Sequence, residues 1–169
     1  MWKRLTSIIL LATVIGCGYG FTGGVNNLPP DVRSIAIPVF SNNTSELGIE
    51  TIFTNAVIDE FLHSNLLPIK DESQADAVLL GTIKSIDISS LAYDRRDVSI
   101  QNRLTLYLDI VLRTQKDGTV LWQVKNLADN QEFEVCSDPV RTEANRKEAI
   151  REIAIRTAEK IHYRTFENF

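Results

Sequence analysis

The thiols are the first candidates for chemistry, because a cysteine side chain can be acylated, oxidised or bound to a metal. The sequence contains only two cysteines, Cys17 and Cys136. Cys17 follows Val14-Ile15-Gly16, which places an apolar residue three positions before the cysteine and a small residue directly before it. This pattern is typical of a chain that is cleaved before the cysteine and lipidated on its thiol. We therefore expect Cys17 to be the lipidated first residue of the mature protein.

The residues before Cys17 have the layout of a secretory signal. Lys3 and Arg4 place positive charge at the N-terminus, and an uncharged, mostly apolar stretch follows from Leu5 to Ile15. That stretch has about half of the ~20 residues that a helix needs to cross a bilayer, so it is a poor permanent span. Residues 1–16 are therefore predicted to be a lipoprotein signal peptide. A plain cleaved signal and an uncleaved anchor are the alternatives.

The region after the cleavage site indicates a tether and a destination. Residues 17–30 are rich in glycine and end in Pro29-Pro30, a composition typical of an irregular lead into a folded domain. Several acyl chains on Cys17 would anchor this lead stably, since each buried CH2 contributes about 0.8 kcal/mol. Gly18 rather than aspartate follows the cysteine, which favours the outer membrane under the sorting rule of enterobacteria. We expect a single domain over residues 31–169.

Composition excludes one class of partner. Loss of the signal removes Lys3 and Arg4 and takes the formal charge from −4 to −6. A nucleic-acid partner is therefore not expected, because phosphate binding needs clustered basic residues. The only contact that we expect with a membrane is through the lipid anchor.

The sequence lacks the residue patterns that the known classes of enzyme reaction require. His63 and His162 are the only histidines, and neither belongs to a zinc-binding spacing. A nucleophile elbow of the Gly-x-Ser-x-Gly type is also missing. Cys136 has no intramolecular partner if Cys17 is lipidated, and the alternation around it favours a small packed side chain in a strand over a reactive thiol. We predict no catalytic residue, metal or cofactor.

Arg95 and Arg96 are the residues that indicate binding. They lie in Tyr93-Asp94-Arg95-Arg96-Asp97, at the tip of the connection between two long predicted strands. Guanidinium groups in this position could hold a phosphorylated lipid headgroup by paired hydrogen bonds. The alternative is a solvated turn in which Asp94 and Asp97 balance the arginines, and composition alone favours that alternative.

The first elements that would position these residues are a strand and a helix. Ser34 to Phe40 predicts a short strand at an edge or a strand end, because Pro38 cannot donate to a ladder. A turn and helix-capping cluster follows from Ser41 to Ser45. Apolar residues at steps of three and four then predict a helix from about Glu46 to Ser64.

The remaining pattern is mostly that of strands. Ala77–Ser90 and the strictly alternating Leu104–Arg113 predict two long strands. Asp117-Gly118 predicts a turn into a strand over residues 120–124, which would form an antiparallel hairpin with 104–113. Residues 132–135 either continue that strand or add another. Glu143–Phe166 has the spacing of a final amphipathic helix.

The order of these elements predicts the fold class. A β, α, β, β, β, α order has no alternating βαβ run that would require a parallel, doubly wound sheet. We expect an α+β domain in which two helices pack on one face of a mostly antiparallel, roughly four-stranded sheet, because each apolar helix stripe then covers an apolar sheet face.

At this point a family resemblance covers nearly the whole mature chain. It depends on the order and spacing of short pieces: Cys17-Gly18-Tyr19, Leu28-Pro29, Ile35-Ala36-Ile37-Pro38-Val39-Phe40, Asn42-Asn43-Thr44, Gly48-Ile49-Glu50, Asp59-Glu60-Phe61, Ala75-Asp76-Ala77, Leu91-Ala92-Tyr93, Arg103-Leu104-Thr105-Leu106, Asp117-Gly118-Thr119-Val120-Leu121-Trp122 and Glu143-Ala144-Asn145-Arg146. With these pieces the sequence resembles the LptE family, the lipoprotein partner of the outer-membrane lipopolysaccharide translocon.

The resemblance implies a partner and a ligand but no catalysis. It implies that the protein sits inside, and plugs, the β-barrel of an LptD partner, supports the assembly of that barrel and helps lipopolysaccharide reach the outer leaflet. It also implies lipopolysaccharide contact by basic residues on loops at one end of the sheet. By position these residues fall near Arg95 or Arg96 and near Arg141. The expected location is the periplasmic side of the outer membrane.

A second resemblance gives the alternative. The Ile35–Phe40 segment with its Asn-rich turn is also similar to the first strand of lipoproteins related to the curli pore subunit and to activators of peptidoglycan synthases. A periplasmic regulator or an oligomeric pore subunit would then be expected. The Arg103–Trp122 hairpin and the helix opened by Asn145-Arg146 match the translocon family better.

Overall fold

The computed structural model describes residues 28–93, residue 95 and residues 99–167. The predicted signal peptide, Cys17 and nearly all of the predicted tether lie outside the described residues, and so does Arg96. Within the described residues, the elements in order are β1 (Ile35–Ala36), β2 (Ser41–Asn42), α1 (Ile49–Ser64), β3 (Ala77–Tyr93), β4 (Ser99–Thr114), β5 (Val120–Glu134) and α2 (Pro139–Glu167).

These elements form the predicted α+β fold. The sheet runs in the order β1-β3-β4-β5, with β2 also paired to β3. β1 and β2 are parallel to β3, whereas the long β3–β4 and β4–β5 pairs are antiparallel. Two helices and a mostly antiparallel sheet are therefore confirmed, with five strands instead of about four.

The extra strand comes from the segment around Pro38. The predicted single strand from Ser34 to Phe40 is wrong, because only Ile35 and Ala36 pair there and the chain pairs again at Ser41 and Asn42. Proline has no N–H for a ladder, so pairing is interrupted around it. The predicted turn cluster after Phe40 thus supplies a short strand from its first two residues.

The long strands extend further than their patterns predicted. β3 continues to Tyr93 and β4 begins at Ser99, so this hairpin reaches beyond the strictly alternating leucines. β5 runs unbroken from Val120 to Glu134, which decides that residues 132–134 continue the hairpin strand. The predicted antiparallel hairpin of β4 and β5 is confirmed, with Leu112 opposite Trp122.

The core lies between the helices and one face of the sheet. Its centre on β4 is the alternating set Leu104, Leu106, Leu108, Ile110 and Leu112, all of which are buried. Phe53 and Phe61 of α1 and Ile153 and Ile161 of α2 pack in the same cluster. Burial of a large aliphatic or aromatic side chain contributes about 1.5–3 kcal/mol, so this layer holds the helices on the sheet.

One glycine in this layer is fixed by a neighbouring ring. Gly81 of β3 lies directly beneath the buried ring of Phe40, and a Cβ atom at Gly81 would overlap that ring. The main-chain N–H of Phe40 donates to Thr54 Oγ1 at 3.0 Å, which ties the segment before β2 to α1. The irregular segment around Pro38 is therefore packed tightly despite its lack of strand pairing.

Candidate functional site at the hairpin end

Four chain segments meet at one end of the sheet, which we call the hairpin end. β3 finishes there at Tyr93 and β4 starts at Ser99. Gln101 lies opposite Glu134 at the last pair of β5, and the N–H of Val135 donates to the Ile100 carbonyl at 3.0 Å. α2 begins five residues after β5.

This arrangement brings two of the sequence-predicted binding residues to the same end. Arg95 lies in the turn between β3 and β4, and Arg141 lies in the first turn of α2; both are exposed. They are separated by the length of two strands in sequence, and the antiparallel register alone returns the chain to this end. Arg96 lies outside the described residues.

The hairpin end also exposes apolar side chains. Val140, beside the start of α2, is 78% exposed. Further exposed apolar residues on the hairpin itself are Ile88, Leu91, Tyr93 and Ile100. Single exposed apolar residues are ordinary, but a group at one end of a molecule is typical of an interaction site. Cationic and apolar groups therefore share this surface.

The start of α2 is fixed to the end of β5 by polar contacts. Asp138 precedes the helix, and its Oδ1 accepts the Val140 N–H at 2.9 Å, as an N-cap does. The hydroxyl of Thr142 accepts the Cys136 N–H at 2.9 Å. Arg141 is therefore presented from a rigid corner of the fold.

Cys136 belongs to this corner and not to a strand. The prediction that it packs within a strand is wrong, because β5 ends at Glu134, before the turn into α2. Its side chain is half-buried, and the Asn145 amide lies 3.8 Å from its Sγ. The turn chemistry of Ser137-Asp138-Pro139 ends the strand two residues before the cysteine.

A carboxylate clamp joins the second turn of α2 to the loop before α1. Arg146 Nη1 and Nη2 donate to the two carboxylate oxygens of Glu46 at 2.6 and 3.0 Å, and Arg146 Nε donates to Glu143 at 2.9 Å. The hydrogen bonds that Arg146 donates to the carboxylates of Glu143 and Glu46 raise the pKa of Arg146 above its already high value, and the same donation lowers the pKa of Glu143. Bidentate pairs of this kind have fixed geometry. The clamp thus sets where Leu47 and α2 lie.

The clamp forms one wall of a shallow pocket of about 340 Å³. The loop from Asn43 to Glu46 forms a second wall, and β3 from Lys84 to Ile88 forms the floor. Asn42 shapes the loop, because its Oδ1 accepts the Thr44 N–H at 2.9 Å and its Nδ2 donates to the Glu46 carbonyl at 2.7 Å. The pocket opens beside the hairpin.

A buried carboxylate, Asp129, fixes the other half of α2. Asp129 of β5 is 8% exposed and accepts hydrogen bonds from Lys160 at 2.8 Å and from Arg156 at 3.1 Å. Burial raises the pKa of Asp129, but the hydrogen bonds from Lys160 and Arg156 outweigh that effect and leave the pKa below its usual value. Sequence reasoning missed both this network and the Arg146 clamp, because their partners lie far apart in the chain.

The described residues lack two kinds of feature, a metal-binding group and a membrane-crossing helix. Within residues 28–93, 95 and 99–167, no three His, Cys, Asp or Glu side chains are grouped as metal ligands. None of the helices in that part of the chain combines the length and the apolar character that a membrane crossing requires. The chemistry visible at the hairpin end is that of binding, with guanidinium groups beside apolar surface.

Comparison with known proteins gives one family and a shared fold. A family model described as LptE, lipopolysaccharide-assembly, matches residues 32–165. No curated protein matches the sequence.

Solved structures of several lipoproteins resemble the fold. Rare lipoprotein B from Shewanella oneidensis is 16% identical with a TM-score of 0.53, over 73% of this chain and 89% of that one. A putative lipoprotein from Caulobacter crescentus is 14% identical with a TM-score of 0.52, over 75% and 87%. An uncharacterised lipoprotein B from Nitrosomonas europaea is 12% identical with a TM-score of 0.51, over 85% and 87%. At these identities the likeness concerns the fold alone.

Proposed function

The chain belongs to the LptE lipopolysaccharide-assembly family, and from this premise we propose that it is the non-enzymatic, lipid-anchored partner of an LptD-like β-barrel. In this role it plugs the barrel, supports barrel assembly and helps insert lipopolysaccharide into the outer leaflet. The anchor is a lipid on Cys17 after removal of residues 1–16, with residues 17–30 as tether. The location is the periplasmic side of the outer membrane.

One observation carries the ligand part of the proposal. Arg95 and Arg141 are exposed at the same end of the sheet as Leu91, Tyr93 and Val140, which are also exposed. Lipopolysaccharide is an anionic amphiphile, so its phosphates suit guanidinium groups and its acyl chains suit apolar side chains. The hairpin end combines both chemistries. Arg95, Arg96 and Arg141 are the proposed contacts.

The remainder of the molecule suits a plug. The helices and sheet enclose one hydrophobic core, and the clamp and the Asp129 network fix both halves of α2. A domain inside a barrel must keep its shape while its polar exterior is buried against the partner. Exposed charged side chains on α2, such as Arg151 and Glu148, would then be interface residues.

Co-purification of the tagged chain with its barrel tests the proposal. The full chain is extracted in detergent from its native envelope, and mass spectrometry measures the stoichiometry of each co-purifying protein. We expect a single large LptD-family barrel at about one copy per chain, and labelled fatty acid on the wild-type protein but not on Cys17→Ser. A peptidoglycan synthase, or only further copies of the chain, would contradict the proposal and favour the regulator or pore alternative.

A further inference from the structure

The two sides of β3 differ in how far they are paired. On one side β4 accompanies it from Ala77 to Tyr93. On the other side β1 pairs at Ala77 and Val78 and β2 at Thr82 and Ile83, and the Asn43 N–H donates to the Ile83 carbonyl at 2.9 Å. Beyond Ile83, no strand among the described residues pairs with that side of β3. The hairpin therefore has an unpaired strand edge.

At the opposite edge of the sheet, formed by β5, side chains hydrogen-bond to the outward main-chain groups. On β5, the Asn130 N–H donates to Asp129 Oδ1 at 2.8 Å, and the Asn130 carbonyl accepts from Arg156 at 2.8 Å. The Glu134 carbonyl accepts from Asn145 at 3.0 Å. Asp129 and side chains of α2 thus occupy outward main-chain groups of β5. Blocking of this kind protects a sheet edge from pairing with another chain.

Among the described residues, no hydrogen bond of this kind covers β3 between the first two of its three register shifts. The register shifts between Ile83 and Ser85, again between Ser90 and Ala92, and a third time between Ala92 and Tyr93. Between the first two shifts, Ser85–Ser90 keeps a regular register with β4, and we call this segment the open edge. It contains no proline, lysine or arginine, and Asp87 is its only charge. Its small serines allow a second backbone to approach closely.

The chemistry of the open edge defines what can occupy it. A strand edge offers main-chain N–H and C=O groups, and these are satisfied by another extended chain. Six residues at about 3.3 Å each give an edge roughly 20 Å long, enough for a short strand. An extended segment with a basic residue near Asp87 and small side chains near the serines would complement it.

We propose that the open edge binds an extended loop of the barrel partner as an added strand, an inference that rests on the proposed function. The barrel's wall strands are paired on both sides, because a closed barrel has no free edge, so the added strand comes from a loop. A plug acts as a single copy in the barrel, which leaves no second copy to pair with this edge. The added strand fixes the position of Arg95 at the hairpin end.

Hydrogen exchange of single amides tests the added strand. The full chain is co-expressed with its LptD-family barrel, and exchange in the purified complex is compared with exchange in the detergent-solubilised chain alone. In the complex we expect alternate amides of Ser85–Ser90 to slow at least about tenfold, because only every second N–H faces outward. The Asn130 amide, which already donates to Asp129 Oδ1, serves as the internal control. Equal exchange of the open edge in both samples would overturn the added strand.

A pair of charged variants provides a second readout. Ser85→Lys and Ser89→Lys each place a charge on the open edge, whereas Ala128→Lys places the same charge on β5, at an exposed position on the same sheet face. We expect the first two to reduce barrel recovery at least tenfold relative to Ala128→Lys, with unchanged circular dichroism. Equal recovery of all three would contradict the proposal.

The outcomes separate the two claims. If no barrel is recovered with the wild-type chain, the proposed function fails and this inference fails with it. If the barrel is recovered but Ser85–Ser90 exchanges as in the free chain, only the inference fails. A disulfide between two copies of a Ser89→Cys variant within the intact complex would also overturn it, because the edge would then bind a second copy.

Discussion

The two ends of the sheet differ in how completely their side chains are buried and their polar groups are paired. At the end opposite the hairpin, the closed end, Ile35 and Ala77 are fully buried, and the Ser34 hydroxyl donates to Asp76 Oδ2 at 2.7 Å. At the hairpin end Val140 is exposed, the open edge is unpaired and Arg95 is exposed in the turn. Burial is most complete at the closed end and in the core, whereas the hairpin end presents surface that binding would cover.

The largest expected effect tests the core that supports both ends. Phe53→Ala removes a fully buried ring from α1 and is expected to lower the free energy of unfolding by about 3–5 kcal/mol. Val140→Ala, at the hairpin end, is expected to change it by less than about 0.5 kcal/mol. Urea denaturation of both variants measures the contrast. Equal losses would mean that the hairpin end is packed like the core.

The clamp that joins the two helices gives the next effect. Arg146→Ala leaves Glu46 with about a fifth of its side chain exposed and without its cation, so we expect a loss of about 2–3 kcal/mol. The matched control is Arg151→Ala, which breaks the well exposed pair with Glu148 and is expected to cost less than about 1 kcal/mol. If both variants unfold at the same urea concentration, the clamp does not hold the helices together.

The close approach of the Phe40 ring to Gly81 is tested by adding one methyl group at Gly81. Gly81→Ala would force the buried ring of Phe40 out of its place, and overpacking of this kind costs about 1–3 kcal/mol. Gly118→Ala is not a neutral control, because Gly118 has a φ of 72°. Ala128→Ser on exposed β5 is the better comparison in thermal unfolding. A stable Gly81→Ala variant would show that the Phe40 segment is loosely packed.

A smaller effect depends on pH. The folded-state pKa of Asp129 is below its unfolded value, so its ion pairs stabilise the fold at neutral pH, and this contribution is lost as the pH falls through the folded pKa. Asp129→Asn should therefore be less stable than wild type near pH 7, and the difference should shrink below about pH 4. Denaturation at both pH values measures this. A difference that persists unchanged in acid would assign the effect to packing.

Sequence patterns predicted the elements better than their connections. The alternation from Leu104 to Leu112 fixed a strand face because neighbouring side chains on a strand point to opposite sides, and all five residues are buried as expected. The interruption at Pro38 was predicted only as a limit on the strand. That the chain resumes pairing at Ser41 depends on tertiary packing of Phe40 against Gly81, which no local pattern contains.

The candidate site was predicted only in part, because some of its contacts depend on tertiary packing. Arg95 and Arg141 were named from the turn composition and from the family resemblance, and the register of β4 and β5 places both at one end. The pairing of Arg146 with Glu46 spans 100 residues of sequence and leaves no local signal. The open edge was likewise not foreseen, because strand order, and not strand composition, decides which edge lacks a neighbour.

The most direct test of the hairpin end as the lipopolysaccharide site is a binding titration. Fluorescent lipopolysaccharide is titrated onto the Cys17→Ser chain with Arg95→Ala and Arg141→Ala combined, and onto a charge-matched control with Lys116→Ala and Arg164→Ala, which lie away from that end. We expect at least tenfold weaker binding for the first variant, wild-type binding for the control, and unfolding free energies within about 0.5 kcal/mol of each other. Equal affinities for the two double variants would contradict the assignment of lipopolysaccharide contact to the hairpin end.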